Sequence, residues 1–186
     1  MQHLEIEFKN LLKKTEYDQL RSLFPEVTPV HQTNYYIDSP SWTLREHGMS
    51  LRVRTFEKGG ELTLKIPQAI GNMEYNQELP NNIWPQFPDQ LHLPEGPIFD
   101  LIQEERIDLE ELRILGSLHT ERVEIQLPIG LLAIDKSSYF DQIDYELELE
   151  VTNPAQGRED FENFLKEHNI EQRKAPTKVA RFSAKL

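Results

Sequence analysis

The stretch YELELEV at residues 145–151 alternates apolar and acidic residues almost without interruption. Alternation of this kind places successive side chains on opposite faces of a β-strand, so one face is apolar and the other carries three glutamates. Glu146, Glu148 and Glu150 would then follow one another at intervals of about 7 Å. Their repulsion is unfavourable unless a cation or a basic strand neutralises it. The stretch therefore predicts a strand and a positively charged partner for it.

The same alternation recurs along the chain and predicts further strands. It is clear at residues 3–9, 48–56, 61–66, 121–127 and 143–151, and weaker at residues 30–38, 72–79 and 131–136. Eight candidate strands, several joined by short turns, predict an antiparallel sheet or barrel. Helical spacing of apolar residues predicts fewer helices, at residues 15–24, 97–103, 157–168 and 177–185. We therefore expect an α+β protein that is mainly β.

The length of the chain suits one domain, and we expect a single domain over residues 1–186. Residues 80–97 hold five of the twelve prolines. We expect this segment to be a structured loop within the domain and not a boundary between two domains.

The composition excludes several classes of protein. The chain has no cysteine, which excludes disulfides, iron–sulfur clusters and zinc sites built on thiolates. It lacks an apolar run of 18 residues and a stretch of signal-peptide type, so we expect a cytoplasmic protein without a membrane partner. The net charge of −12, from 20 basic and 32 acidic residues, makes the chain a poor general binder of nucleic acid. A small polyanion could bind only through a local cluster of Arg and Lys or through metal ions.

The charged faces of the strands allow two interpretations. In the first, the charges are solvated and the apolar faces form the core of a sandwich, as in most antiparallel sheets. In the second, the sheet closes into a barrel, the amphipathic helices pack on its outer surface and the charges line its interior. The dense repetition of charge, as in Arg52 and Arg54, favours the second interpretation, because acidic and basic strands can neutralise one another inside. We therefore expect an eight-stranded antiparallel closed barrel, or tunnel, with a charged interior and helices outside.

Such an interior has a definite chemical use. Carboxylate oxygens are preferred ligands of hard divalent cations such as Mg²⁺ or Mn²⁺. Guanidinium and ammonium groups bind phosphate oxygens. The expected ligand is therefore a metal-bound polyphosphate, and the chemistry it favours is phosphoryl or nucleotidyl transfer.

The stretch EIEFK at residues 5–9 resembles the ExExK signature of the CYTH superfamily, whose members are also called triphosphate tunnel metalloenzymes. The resemblance continues through Tyr36-Ile37-Asp38, Leu44-x3-Gly48-x2-Leu51-Arg52-x-Arg54, Leu62-Thr63-Leu64-Lys65, Arg122, Ile134-Asp135-Lys136, residues 145–150 and Thr177-Lys178. It spans nearly the whole chain. The chain is most similar to the small bacterial single-domain members of Bacillus type, which are often labelled adenylate-cyclase-like.

The resemblance implies an activity and a cofactor. Family members include inorganic triphosphatases, thiamine triphosphatases, class IV adenylate cyclases and RNA triphosphatases, and they depend on Mg²⁺ or Mn²⁺. We therefore expect a divalent-metal-dependent hydrolase of a small-molecule triphosphate. A class IV-type adenylate cyclase and a non-catalytic polyphosphate- or nucleotide-binding protein are the alternatives, because one tunnel serves all three. The sequence does not fix the oligomeric state and leaves a homodimer open.

The resemblance also implies roles for individual residues. The catalytic residues would be Glu5, Glu7 and Lys9. The metal ligands would be Glu5 and Glu7 with two of Glu146, Glu148 and Glu150, of which we favour Glu148 and Glu150. The phosphate-binding residues would be Lys9, Arg52, Arg54, Lys65, Arg122 and Lys178. Less distinctive candidates are Glu78, Asp135, which would hold metal through water or orient a basic neighbour, and Arg181.

Overall fold

A computed structural model describes residues 1–80 and 91–186, and in these residues the backbone forms eight strands and five α-helices. The strands are β1 (Gln2–Leu12), β2 (Val30–Asp38), β3 (Ser50–Thr55), β4 (Gly60–Pro67), β5 (Asn72–Leu79), β6 (Arg113–Leu127), β7 (Gly130–Tyr139) and β8 (Gln142–Val151). The helices are α1 (Lys14–Ser22), α2 (Thr43–Glu46), α3 (Pro97–Glu104), α4 (Pro154–Glu167) and α5 (Lys178–Ser183), with a 3-10 turn at Leu109–Glu111. None of these helices is long and apolar enough to cross a membrane.

The strands hydrogen-bond in the order β1-β5-β4-β3-β2-β6-β7-β8, and this order closes into a barrel. The registers of β2 with β3, β3 with β4, β4 with β5, β6 with β7, β7 with β8 and β8 with β1 are all antiparallel. The predicted eight-stranded antiparallel barrel is therefore confirmed, and every predicted strand is present.

Three differences from the predicted elements stand out. Strand β6 begins at Arg113, well before the predicted start at residue 121. The prediction missed residues 113–120 because apolar and polar residues do not alternate regularly there. The short helix α2 was not predicted. Of the expected loop at residues 80–97, residues 81–90 lie outside the described part of the chain, and α3 begins at Pro97.

The chain divides into two compact units. Unit 1 comprises Met1–Leu4 and Gln32–Leu118, and unit 2 comprises Glu5–His31 and His119–Leu186. In unit 1 the apolar faces of the strands pack against helices α2 and α3. This core includes Leu44, Leu51, Val53, Leu62, Leu64, Ile98 and Ile102. The residues that alternate with them along β3 and β4 are charged or polar and lie on the opposite face.

Unit 2 is built in the same way around helices α1 and α4. Its core includes Ile6, Leu20, Ile134, Leu147, Leu149, Phe161 and Leu165. Helix α4 lies so close to β8 that a Cβ atom at Gly157 would sit 2.5 Å from a methyl group of Val151. Only glycine fits at this contact, which holds the apolar face of β8 against the helix and turns its glutamates to the other side.

Candidate functional site

The register between β1 and β8 places carboxylates and an ammonium group on one face of unit 2. Glu7 lies directly opposite Glu150, and Lys9 lies opposite Glu148. Directly opposed residues of antiparallel strands project to the same side of the sheet. Phe8, which lies between Glu7 and Lys9 in the sequence, packs against the apolar core. Glu7, Lys9, Glu148 and Glu150 therefore lie on the opposite face, turned away from the helices.

Strands β6 and β7 extend this charged face. Asp135 lies opposite Glu146 on one side and opposite Arg122 on the other. Arg122 donates from Nε to Asp135 Oδ1 at 2.8 Å and from Nη2 to Asp135 Oδ2 at 2.6 Å. This two-point contact fixes the plane of the guanidinium group. Burial alone would raise the pKa of the fully buried Asp135, but Arg122 and Lys178 hold it below its ordinary value.

Three cations converge on Glu148. The Lys178 Nζ lies 2.6 Å and the Lys9 Nζ 3.1 Å from Glu148 Oε1, while Arg122 Nη2 lies 2.5 Å from Oε2. Burial would raise the pKa of Glu148, but the positive charges of Lys178, Lys9 and Arg122 lower it well below its ordinary value. Glu148 is therefore ionised and held on both oxygens.

Lys178 reaches this cluster from the first residue of α5, whose N-terminus is capped by the Thr177 hydroxyl. Its Nζ also lies 2.8 Å from Asp135 Oδ2 and 3.1 Å from Glu146 Oε1. Burial alone would lower the pKa of Lys178, but these carboxylates and Glu148 raise it instead. Lys178 is therefore the counterion of three carboxylates at once.

Glu146 is the most deeply buried of the three β8 glutamates, with 1% of its side chain exposed. Its Oε2 contacts the Arg181 guanidinium group, which also donates from Nε to Asp144 Oδ2 at 3.0 Å. Burial raises the pKa of Glu146 to about 7, against the opposing effect of Lys178 and with the support of the Glu148 charge. Arg181, a less distinctive candidate from the sequence, thus lies within the cluster.

The predicted metal ligands share the chemistry that a hard divalent cation requires. Glu5 and Glu7 are two residues apart and lie on the same face of β1, and Glu150 lies opposite Glu7 on β8. Lys9 Nζ lies 2.8 Å from Glu7 Oε1. Within residues 1–80 and 91–186, however, no three carboxylate or imidazole groups converge closely enough to hold a metal ion. The donor atoms therefore fit Mg²⁺ or Mn²⁺ by type, and their role as ligands stays a prediction.

Unit 1 carries a second charged face, formed by the predicted phosphate-binding residues of β3 and β4. Arg54 donates from Nε to Asn34 Oδ1 at 3.0 Å and lies opposite Glu61, with Nη1 and Oε1 3.5 Å apart. Among the described residues, the buried Nε of Arg52 has no hydrogen-bond partner. A buried donor without a protein partner is a position at which an anionic ligand can bind.

The sequence missed Glu74, which lies on this face opposite Lys65. Its Oε2 lies 2.7 Å from Lys65 Nζ, and its Oε1 accepts a hydrogen bond from Asn76 Nδ2 at 2.8 Å. The sequence pointed instead to Glu78, which is exposed and lies opposite Glu61. The register of the β4–β5 hairpin decides which glutamate lies opposite Lys65 and which lies opposite Glu61. This register could have been derived only from the length of the connecting turn.

Glu74→Gln is expected to destabilise the protein at pH 7 by about 3 kcal/mol. Burial would raise the pKa of Glu74, but Lys65 and Arg52 lower it to about 2. A carboxyl group with a lowered folded-state pKa stabilises the protein above its ordinary pKa, and this contribution is lost as the pH falls towards the folded value. The difference between wild type and variant in urea denaturation should therefore shrink between about pH 5 and about pH 2, from the ordinary pKa of a glutamate down to the folded-state value. Glu78→Gln is the control, and an equal, pH-independent loss in both variants would contradict the expected role of Glu74.

Comparisons with known proteins agree with this geometry. The sequence profile of the CYTH domain matches residues 3–183. The Bacillus subtilis (strain 168) protein named "Putative triphosphatase YjbK" is 35% identical over 185 residues, which cover 97% of this chain and 95% of that protein.

Solved structures with the same fold include two that span nearly the whole chain. A Bacillus halodurans protein described as a putative adenylate cyclase has a TM-score of 0.91 and 31% identity, covering 97% of this chain and 98% of its own. HpAC1 from Hippeastrum, described as a putative adenylyl cyclase with a dominant triphosphatase activity, has a TM-score of 0.80 over 98% of this chain and 96% of its own. At 21% identity, HpAC1 shows the shared fold alone.

The family profile covers the chain almost from end to end, and the B. subtilis relative is similar over the same length. The closed barrel of eight antiparallel strands is the fold expected from the ExExK resemblance. The chain therefore belongs to the CYTH domain family.

Proposed function

We propose that the protein is a divalent-metal-dependent triphosphate hydrolase that acts on inorganic triphosphate or on a nucleoside or thiamine triphosphate. One observation carries the proposal: Lys9, Arg122 and Lys178 meet at Glu148, beside the opposed carboxylates of Glu7 and Glu150. Cations that bind phosphate oxygens thus lie next to carboxylates that suit a metal ion. The relation to a B. subtilis protein named as a putative triphosphatase supports the same activity.

Each positively charged side chain has a role in this proposal. Hydrolysis joins a water oxygen to the terminal phosphorus and breaks its bond to the bridging anhydride oxygen, so orthophosphate forms and negative charge develops on the departing diphosphate. Lys9 and Arg122, with 17% and 16% of their side chains exposed, can donate to phosphate oxygens. Lys178 is more enclosed and would act mainly by holding the carboxylates in place. On the charged face of unit 1, Arg52, Arg54 and Lys65 would bind phosphate oxygens.

A divalent cation would be held by carboxylates of unit 2. We propose Glu5, Glu7 and Glu150 as ligands together with Glu148. Glu146 is left out because it is the most enclosed and burial raises its pKa, whereas the pKa of Glu148 is lowered by the cations around it. Mg²⁺ and Mn²⁺ both match these oxygen donors. When bound, such a cation would neutralise charge on the phosphate oxygens. The protein would contribute the orientation of the substrate and the fixed positive charges around it.

Arg52→Lys is expected to weaken the binding of tripolyphosphate by about tenfold, because lysine retains the charge but loses the Nε–H and the planar fork. The buried Nε of Arg52 lacks a partner within the described residues and is the donor that the substitution removes. The measurement is a calorimetric titration with tripolyphosphate, and Arg45→Lys on the exposed surface of α2 is the matched control. Equal affinities for the two variants would argue against a phosphate-binding role for Arg52.

The experiment that tests the proposed activity incubates the pure protein with tripolyphosphate, thiamine triphosphate, ATP and GTP, each with Mg²⁺ or Mn²⁺. Release of orthophosphate supports the hydrolase. Conversion of ATP into cyclic AMP and pyrophosphate would identify a cyclase, the activity named for the B. halodurans relative. Tight binding without any turnover would identify a non-catalytic binding protein. A cytoplasmic location remains a prediction from the sequence.

A further inference from the structure

Asn10 is a fully buried polar residue on the helix-facing side of β1, directly after Lys9 of the ExExK signature. Its Oδ1 accepts a hydrogen bond from the Arg173 backbone N–H at 2.6 Å, and its Nδ2 donates to the Glu171 carbonyl at 3.0 Å. The Nδ2 also donates to the carbonyl of Leu11 at 2.9 Å. Every hydrogen bond of this side chain is thus made to the backbone, and two of them are made to a segment about 160 residues away.

The Asn10 side chain forms hydrogen bonds that a backbone peptide group would form in a neighbouring strand. Residues 168–177 connect the end of α4 to α5, and residues 171–177 within them have no helix or strand of their own. A primary amide offers one acceptor and a donor in the arrangement of a backbone peptide, so Asn10 pairs with residues 171 and 173 as a neighbouring strand would. Removing the amide would take a partner from the Arg173 N–H and from the Glu171 C=O, two backbone groups in partly buried hydrogen bonds, which is costly.

A second contact holds the same segment. Arg173 donates from Nη1 to Glu16 Oε2 at 2.7 Å and from Nη2 to Glu16 Oε1 at 3.1 Å. Its Nη1 also lies 3.3 Å from the carbonyl of Leu11. Glu16 is fixed in turn by the Lys13 backbone N–H at the start of α1, at 2.7 Å. The segment is therefore anchored to β1 and to α1 on the side of the strand opposite the charged face.

The anchored segment leads directly into the charged cluster. Five residues after Arg173, Lys178 begins α5 and lies against Asp135, Glu146 and Glu148. A lysine side chain loses substantial rotamer entropy when it is fixed, so its burial here depends on a backbone that is already in place. The anchor at residues 171–173 supplies that backbone position.

We propose that Asn10 is a positioning residue, which docks residues 171–173 onto β1 and thereby places Lys178 among the carboxylates of the charged face. The kinetic part of this inference rests on the proposed triphosphate hydrolysis. The positional part does not, because it concerns where the α5 backbone and Lys178 lie. In this arrangement β1 contributes twice to the same site, with Lys9 on one face and Asn10 on the other.

The test uses Asn10→Ala in the full chain and begins with readouts that need no activity. Amide hydrogen exchange of residues 171–183 should accelerate at least about tenfold, because local opening becomes easier when the anchor is removed. Lys178, 10% exposed in the intact protein, should become open to acylation by acetic anhydride, measured by mass spectrometry of its peptide. Arg173→Met is the second variant if Asn10→Ala folds poorly. Asn153→Ala is the control, because Asn153 also accepts backbone N–H groups in unit 2 but at the start of α4.

A double-mutant cycle tests whether Asn10 acts through Lys178. If it does, Asn10→Ala lowers kcat for tripolyphosphate about tenfold in the wild type and has almost no further effect in Lys178→Met, because coupled residues are not additive. Additive losses, or exchange and acylation no different from those of Asn153→Ala, would overturn the proposal even in an active enzyme. If the wild type turns over no triphosphate but Asn10→Ala exposes Lys178, the proposed function fails and the positioning role stands.

Discussion

Glu7→Gln is expected to reduce metal-dependent hydrolysis of triphosphate by at least about 10³-fold while leaving the protein folded. The amide keeps the size of the side chain but removes a negative charge that a divalent cation requires. It also removes the carboxylate that lies 2.8 Å from Lys9 Nζ, so Lys9 is drawn more strongly towards Glu148. The measurement is orthophosphate release from tripolyphosphate over a range of Mg²⁺ and Mn²⁺ concentrations, with thermal unfolding as the check on folding.

Glu121→Gln is the matched control for this loss. Glu121 is also a strand glutamate paired with a lysine at 2.8 Å, but its partner is Lys136 on the helix-facing side of unit 2. Both variants therefore lose one carboxylate–ammonium pair, and only Glu7→Gln alters the charged face. Full activity in Glu7→Gln, or an equal loss in Glu121→Gln, would remove Glu7 from the proposed metal ligands.

Much of this site could be predicted from alternation alone. The YELELEV stretch placed three glutamates on one face and required cations near them, and the structure provides Lys9, Arg122 and Lys178. What alternation cannot give is the role of each glutamate. The register between β1 and β8 sets Glu150 opposite Glu7 and Glu148 opposite Lys9. A shift by two residues would instead set Glu148 opposite Glu7 and Glu146 opposite Lys9.

Residues whose side chains hydrogen-bond to the backbone were harder to predict. The sequence offered Asp38 only as part of a family motif. In the structure its carboxylate accepts from the backbone N–H groups of Ser39 and Leu44, both at 2.8 Å, and of Arg45 at 3.2 Å. Asp38 thus caps the unpredicted helix α2, which is too short to show a helical repeat of its own. Asn10 could not be predicted for a different reason, because its partners lie far away in the sequence, at residues 171 and 173.

Lys178→Met should have the largest effect on stability, with a loss of about 3–5 kcal/mol in the free energy of unfolding. The ammonium group lies within 3.1 Å of one oxygen on each of Asp135, Glu146 and Glu148, and methionine would leave these buried carboxylates with too little positive charge. Urea denaturation in the presence of a metal chelator measures the loss without a contribution from bound cations. Lys136→Met, which breaks a half-exposed pair with Glu121, should cost no more than about 1 kcal/mol.

Charge balance distinguishes this explanation from a general loss of packing. Burial already raises the pKa of Glu146 to about 7, so this carboxylate is the easiest of the three to neutralise. Adding Glu146→Gln to Lys178→Met should therefore recover about half of the lost stability, because one uncompensated buried charge is removed. It should not recover hydrolysis, because one of the three cations that hold Glu148 is still absent. If the double variant is no more stable than Lys178→Met, the lysine contributes through packing and not as the counterion of the charged face.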